Sequence, residues 1–232
     1  MKNLISLAFA AAAALTSVPT ASAESPVVVE LFTSQGCSSC PPADALMHDL
    51  AKRSDVIALA LHVDYWDYIG WKDEFADPAH AKRQRGYAVA AGRRSVYTPQ
   101  MIINGETDIV GARPMELSRM IAEHAAQPET VSLDVVRDGD DLKIAAEAKA
   151  AQGPFVVHML RYTPNRTAKI TRGENAGHTL SYANVTEDWK ILTQWDGATT
   201  LELTANVSGD KPIVVLIQKG AHGAIEAAAL LR

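Results

Sequence analysis

Two cysteines in 232 residues, both inside one Cys-x-x-Cys, constrain this chain more than any other feature. They close the stretch Val27-Val28-Val29-Glu30-Leu31-Phe32-Thr33-Ser34-Gln35-Gly36-Cys37-Ser38-Ser39-Cys40-Pro41-Pro42. Its near-continuous apolar run, Val27–Phe32, predicts a strand buried on both faces of an α/β sheet. A polar turn follows, then a helix. Proline is tolerated in a first helical turn, where its missing N–H has no intrahelical acceptor, so Pro41 and Pro42 put the helix cap at Ser39 or later. Cys37 then lies in the turn and Cys40 beside the first helical residue. Unpaired backbone N–H groups and the positive end of the helix dipole favour thiolate at such a place. Thiols in these motifs fall from a pKa of roughly 8.5 to about 3.5–7.5.

The spacing weighs against plain structural roles. A disulfide enclosing only Ser38 and Ser39 removes little chain entropy, since loop length sets most of what a crosslink contributes. Structural zinc needs four ligands, yet the chain has no second Cys pair, and its seven histidines show no paired spacing. Three readings stay open: a dithiol/disulfide redox centre, a copper carrier using Cys37, Cys40 and His62, or a non-catalytic interaction module. No resident metal or cofactor is expected under the first.

The N-terminus sets the compartment. A short basic start, Met1-Lys2-Asn3, precedes an apolar run from Leu4 to Leu15, and Ala21-Ser22-Ala23 fits a small-residue cleavage site. The run is too short to span a bilayer, which takes about 20 apolar residues. Residues 1–23 therefore read as a secretory signal, with no stable membrane insertion after its removal. Export would bring the Cys pair into an oxidising space such as a periplasm. A formal net charge of −5 without a basic tract argues against a nucleic-acid partner.

After the Cys pair, Val56–Val63 predicts a second buried strand. Its carboxyl end runs into Asp64-Tyr65-Trp66-Asp67-Tyr68-Ile69-Gly70-Trp71-Lys72-Asp73, an aromatic and acidic cluster where open α/β sheets carry their sites. Pro78 to Ala91 reads as a helix with a polar face that includes Lys82, Arg83 and Arg85. Tyr97-Thr98-Pro99-Gln100 then opens an apolar strand, and Asn104-Gly105 is a hairpin turn of the kind that needs positive φ. Ile109–Gly111 continues as a strand, and Pro114–Ala126 as a helix. Glu30 interrupts the first strand: buried there, a carboxylate needs a partner or a raised pKa, and at a sheet edge it would reach solvent instead.

This order (strand, CxxC, helix, strand, helical insertion, Thr-Pro, strand, turn, strand, helix) resembles the thioredoxin fold over residues 26–127. More narrowly, Cys37-Ser38-Ser39-Cys40-Pro41-Pro42-Ala43-Asp44, His62-Val63-Asp64-Tyr65-Trp66-Asp67 and Tyr97-Thr98-Pro99-Gln100 are similar to a family of secreted bacterial thioredoxin-like proteins of unknown function. The resemblance implies that Pro99 is a cis-proline facing the sulfurs and that the Thr98 backbone pairs with an extended substrate. It also makes Glu30 the buried acid that shuttles the proton of Cys40. Cys37 would be the exposed, attacking thiol and Cys40 the resolving one. Tyr65, Trp66 and Tyr97 would line the substrate groove.

From Glu129 the texture changes to short, alternating strands. Val131–Val136 and Leu142–Ala148 form a hairpin about the turn at residues 138–141. Phe155–Tyr162, Leu180–Val185, Trp189–Thr193, Thr200–Val207 and Ile213–Gln218 follow, and His222–Leu230 reads as a terminal hairpin arm. Residues 129–232 thus read as a smaller, all-β, sandwich-like domain behind the α/β, thioredoxin-like one. Gly173–His178 reads as an exposed loop. The expectation is an exported thiol–disulfide oxidoreductase whose partners are protein or small-molecule thiols and disulfides.

Overall fold

The computed structural model describes residues 25–232, so the secretory-signal expectation lies outside the described residues. The chain builds a mixed α/β structure around one large sheet and one small one. β1 (Val27–Thr33) and β2 (Val56–His62) pair in parallel from Val27↔Val56 to Thr33↔His62, and every residue of both is buried. That burial is why their sequences are apolar throughout rather than alternating. β3 (Gln100–Ile103) runs antiparallel to β1, and β4 (Thr107–Val110) closes that edge. The β3–β4 turn has positive φ at Asn104 (45°) and Gly105 (72°). A Cβ on Gly105 would also sit 2.4 Å from the Gly223 carbonyl oxygen, so glycine is required there twice over.

The sheet does not stop at β2. On its far side lie β8 (Thr179–Trp195), β7 (Phe155–Lys169), β10 (Ile213–Lys219) and β11 (Ile225–Leu231), giving the order β11-β10-β7-β8-β2-β1-β3-β4. The link is a parallel contact between Ala60 of β2 and Val185 of β8, reinforced by the Asn184 amide donating to the Ala58 carbonyl at 2.8 Å. The small sheet has the order β5-β6-β9, from β5 (Val131–Asp138), β6 (Asp141–Ala148) and β9 (Leu201–Asn206). Its apolar side (Val131, Leu142, Ile144, Ala146) packs face to face on Phe155, Val157, Val215 and Ile217 of the large sheet. The small antiparallel sheet thus packs on strands that continue the large mixed sheet.

The large sheet is covered differently on its two faces. α2 (Pro78–Ala90) lies on one, over Val28, Phe32, Leu59, Leu61, Leu160 and Leu216. α1 (Pro41–Leu50) and α3 (Pro114–Ala125) cover the other, over Val27, Val29, Leu31, Met101 and Ile103. Successive strand residues point to opposite faces, so each residue of β1 serves one helix layer or the other. No helix of the described residues is long and apolar enough to cross a membrane.

Two strands are longer than their sequences suggest. β7 runs on past Tyr162 to Lys169, and β8 joins Leu180–Val185 and Trp189–Thr193, read separately, with register shifts at Val157/His158 and Met159/Arg161. Positive φ at Asn184 (49°) and Asp188 (51°) produces the local turn signal without ending β8. Bulges bend a paired ladder and leave it continuous, which short-range patterning reads as two strands.

Candidate functional site

β1 delivers its last residues to the carboxyl edge of the sheet, where the chain turns into α1. Cys37 N–H donates to the Ser34 carbonyl (3.1 Å) and Cys40 N–H to the Cys37 carbonyl (3.2 Å). Cys40 is the N-cap of α1, with prolines at its first two positions, as their missing N–H groups require. The two cysteines are joined as a disulfide. The Thr98–Pro99 bond is cis, as the resemblance implies.

Burial of the pair departs from expectation. Cys37 was expected open to solvent, yet it is 1% exposed and Cys40 0%. Only Ser38 and Ser39 between them are exposed. The β7–β8 loop is fastened against this turn: the Asn175 amide nitrogen donates to the carbonyls of Gln35 (2.9 Å) and Cys37 (3.0 Å). Beside it, Glu174 accepts from the Ser38 N–H at 3.4 Å. A loop about 140 residues away in sequence leaves no local signal for this contact. The one hint was the compact Gly-Glu-Asn-Ala-Gly-His composition.

Beneath the disulfide, on the α1 face, lies a buried polar cluster. Thr33 Oγ1 donates to Asp44 Oδ1 at 2.8 Å. His62 Nδ1 donates to Asp73 Oδ2 at 2.7 Å, and the same oxygen accepts the Gln35 N–H at 2.8 Å. Tyr182 sets its ring edge-on to His62 with centroids 4.7 Å apart. Four buried polar atoms in this neighbourhood have no partner: Asp44 Oδ2, His62 Nε2, Gln35 Nε2 and Tyr182 OH. Burial raises the Asp44 pKa to about 7, against lowering by His62 and the Thr33 hydroxyl. Burial also pushes Asp73 up, but hydrogen bonds from His62, Gln35 and Phe75 outweigh it and hold the carboxyl below its usual range. The Tyr182 phenol is raised well above its ordinary value by burial, with Asp44 and Asp73 adding to it. Asp73 closes the aromatic and acidic segment read as a site, whereas neither Asp44 nor Tyr182 was singled out from the sequence. Asp44 lies four residues after Cys40 and its N–H donates to the Cys40 carbonyl at 3.1 Å, so it belongs to the helical turn that Cys40 caps.

Glu30 lies elsewhere. It shares the α2 face of β1 with Val28 and Phe32, opposite the face that α1 covers. There Arg83 of α2 grips it through Nε at 2.6 Å and Nη2 at 3.1 Å, and the Tyr87 hydroxyl donates to it at 2.5 Å. Gln218 of β10 completes the set by accepting from Arg83 Nη1 at 3.0 Å. The expected polar surface of α2 is therefore half wrong at Arg83, which points inward to neutralise the carboxylate.

The aromatic segment after β2 splits in the same way. Trp66 packs against Gly36, where an added Cβ would lie 3.1 Å from the Trp66 Cβ, and its Nε1 donates to Thr98 Oγ1 at 2.7 Å. It thus ties the Cys turn to the Thr98–Pro99 segment. Tyr68 stacks on it and is 79% exposed. Tyr65 instead donates to Gln84 of α2 (3.0 Å), and Tyr97 to Asp108 of β4 (2.7 Å). The copper reading required Cys37, Cys40 and His62 to converge. Among the described residues, no three His, Cys, Asp or Glu side chains are grouped to hold a metal ion. His62 is committed to Asp73 and wedged between Phe75 and Tyr182.

Residues 28–218 match a family described as a protein of unknown function, DUF1223. No curated protein matches the chain. Among solved structures, protein AGR_C_4864 from Agrobacterium tumefaciens is 32% identical, with a TM-score of 0.75 over 88% of this chain and 93% of that one. HBP35 of Porphyromonas gingivalis, at 14% identity and a TM-score of 0.60, covers 90% of this chain and 75% of its own; it speaks to fold alone. The chain belongs to the DUF1223 family.

Proposed function

From that membership, which brings no activity with it, we propose that this protein is an exported thiol–disulfide oxidoreductase with a thioredoxin-like domain over residues 26–127. The observation that carries the reading is the Cys37–Cys40 pair at the cap of α1, four residues ahead of a buried carboxyl that titrates about pH 7. The order of elements from β1 to α3 supports the fold assignment. The secretory-type N-terminus supports export.

In the reduced protein, the Cys37 thiolate attacks a partner disulfide, forming a mixed disulfide and releasing one partner thiolate. Cys40 gives its proton to Asp44 and attacks Cys37 Sγ, expelling the second partner thiolate. The partner gains two electrons and the Cys pair becomes a disulfide. The reverse sequence oxidises a partner dithiol. A general base is most effective with a pKa near the working pH, and Asp44 meets that condition on the α1 face, where Glu30 does not reach. Thr98 and Pro99 form the substrate groove, held in register with the Cys turn by Trp66.

The test is partner trapping. Cys40→Ser leaves a mixed disulfide with nothing to resolve it, so partners should accumulate on Cys37, and Cys37→Ser should trap none. A Cys40→Ser protein that captures nothing in its own compartment would remove the exchange reading.

A further inference from the structure

The β7–β8 loop is fastened at its base and at its tip. At the base, Gly177 N–H donates to the Ile170 carbonyl (2.8 Å) and Ile170 N–H to the His178 carbonyl (2.9 Å), closing the hairpin. At the tip, Asn175 is 6% exposed while Glu174, Ala176, Gly177 and His178 around it are exposed. One inward-facing amide therefore fixes an otherwise solvated loop over the Cys turn. Gly173 seats the loop from the side, where an added Cβ would come within 3.2 Å of the Trp71 Cβ. Trp71 itself donates to Gln35 Oε1 at 2.7 Å, so loop, aromatic segment and Cys turn are bolted together.

Thiol–disulfide exchange needs a thiolate to approach a sulfur in line with the bond it breaks. With Cys37 1% exposed and Cys40 0%, no such approach exists in this arrangement, and the loop is bonded to the Cys37 carbonyl itself. We infer that Asn175 is a specificity-determining residue: it pins the loop over Cys37, which excludes small dissolved thiols and reserves exchange for a polypeptide partner that unseats the loop. The inference rests on the exchange reading above. Unseating leaves the Gln35 and Cys37 carbonyls without their donor, and an extended polypeptide brings main-chain N–H groups to replace it. A small dithiol brings none. Once the loop is displaced, a partner thiolate attacks Cys37 Sγ, the Cys37–Cys40 bond breaks, and the electron pair leaves on Cys40 Sγ, which takes up a proton. A second partner thiolate then splits the mixed disulfide, leaving the partner oxidised and the Cys pair a dithiol.

The experiment follows opening of the disulfide in the oxidised protein by alkylation and mass measurement, with dithiothreitol or a short cysteine-containing peptide as reductant. The wild-type rate should level off as dithiothreitol rises, because loop opening becomes limiting, and the peptide should act faster at equal thiolate concentration. Asn175→Asp keeps the side-chain size but removes both N–H donors. It should react with dithiothreitol on the order of ten- to a hundredfold faster, as expected for two lost hydrogen bonds, and in proportion to its concentration. Its equilibrium with the dithiothreitol couple should stay close to wild type. Equal rates in the two proteins, a wild-type rate proportional to dithiothreitol throughout, or a gain matched by an equal shift in equilibrium would each overturn the inference. If Asn175→Asp does not fold, the wild-type concentration curve decides alone. Dithiothreitol opens an accessible disulfide whatever the protein's natural role, so these failures strike the loop. An empty Cys40→Ser trap strikes the exchange reading instead.

Discussion

The two faces of the large sheet each bury a charged cluster, and the clusters are finished to different degrees. On the α2 face, both oxygens of Glu30 are taken, Arg83 is bonded through three nitrogens, and Tyr87 and Gln218 close the network; beside it His158, bonded to Trp189, keeps one buried nitrogen, Nε2, without a partner. Arg83 is also sandwiched by rings, 4.2 Å from the Trp189 centroid and 4.9 Å from that of Tyr87. Its members come from β1, α2, β8 and β10, so it fastens the first half of the chain to the second. On the α1 face, Asp44, His62, Gln35 and Tyr182 each keep a buried atom unpartnered beneath the Cys pair. A satisfied network rigidifies; an unsatisfied one costs stability and is retained where groups must gain and lose protons. The first cluster holds the fold, and the second belongs to the proposed exchange centre.

The comparison is broken most forcefully at the ion pair. Glu30→Gln leaves Arg83 buried without its counter-charge and should cost about 3–5 kcal/mol in chemical denaturation, while Glu30→Leu with Arg83→Met should recover most of it. Trapping of partners on Cys37 in the Cys40→Ser background should survive when this double change is added. A loss below about 1 kcal/mol for Glu30→Gln would mean the network is not the fastening described here.

The next effect is a difference in pH dependence. Asp44 has a folded pKa of about 7 against an ordinary value of 3.8, raised chiefly by burial. The folded state therefore binds the extra proton between those values, and the destabilisation from ionising Asp44 grows as pH rises from about 4 to about 7, to roughly 4 kcal/mol. On the α2 face the sign reverses. Burial first, then the charges of Arg83 and His222, lower His158 from 6.5 to about 3. Its contribution is intact above pH 6.5 and is lost as pH falls toward 3. The two partly cancel in the wild-type profile, so the difference between Asp44→Asn and wild type isolates the carboxyl. That difference should widen in favour of the variant from pH 4 to 7 and then stay flat; a pH-independent difference would contradict it.

These clusters also show where the sequence is readable. The buried strands, the proline-opened α1 and the Asn104-Gly105 turn follow from local chemistry, because each depends on residues within one or two turns of chain. Arg83 was legible only as a helix residue, since nothing in α2 reveals a carboxylate 53 positions earlier in β1. Asp44 stands inside the motif but looks like an ordinary acidic residue of a first helical turn; burial, with a smaller push from Asp73, raises its pKa. Asn175 was legible as loop chemistry alone, because its partners are set by how β7 and β8 reach back to β2. The continuity of the large sheet escaped for the same reason: Ala60↔Val185 is a pairing across 125 residues.

The smallest contrast uses one substitution at two tyrosines. Tyr87→Phe removes a hydroxyl that donates to Glu30 and accepts from Arg83 and Gln218, and should cost about 1–3 kcal/mol. Tyr182→Phe removes a buried hydroxyl with no partner and should change stability by about 0.5 kcal/mol or less, or raise it. Equal losses at both positions would erase the distinction between the clusters.

The most direct test of the central claim is an equilibrium titration of the oxidised protein against glutathione and dithiothreitol redox buffers, counting alkylated thiols by mass. The account predicts one reversible two-electron transition in which Cys37 and Cys40 open and close together. A pair that stays closed until the protein unfolds, or two thiols that remain free in air, would contradict it.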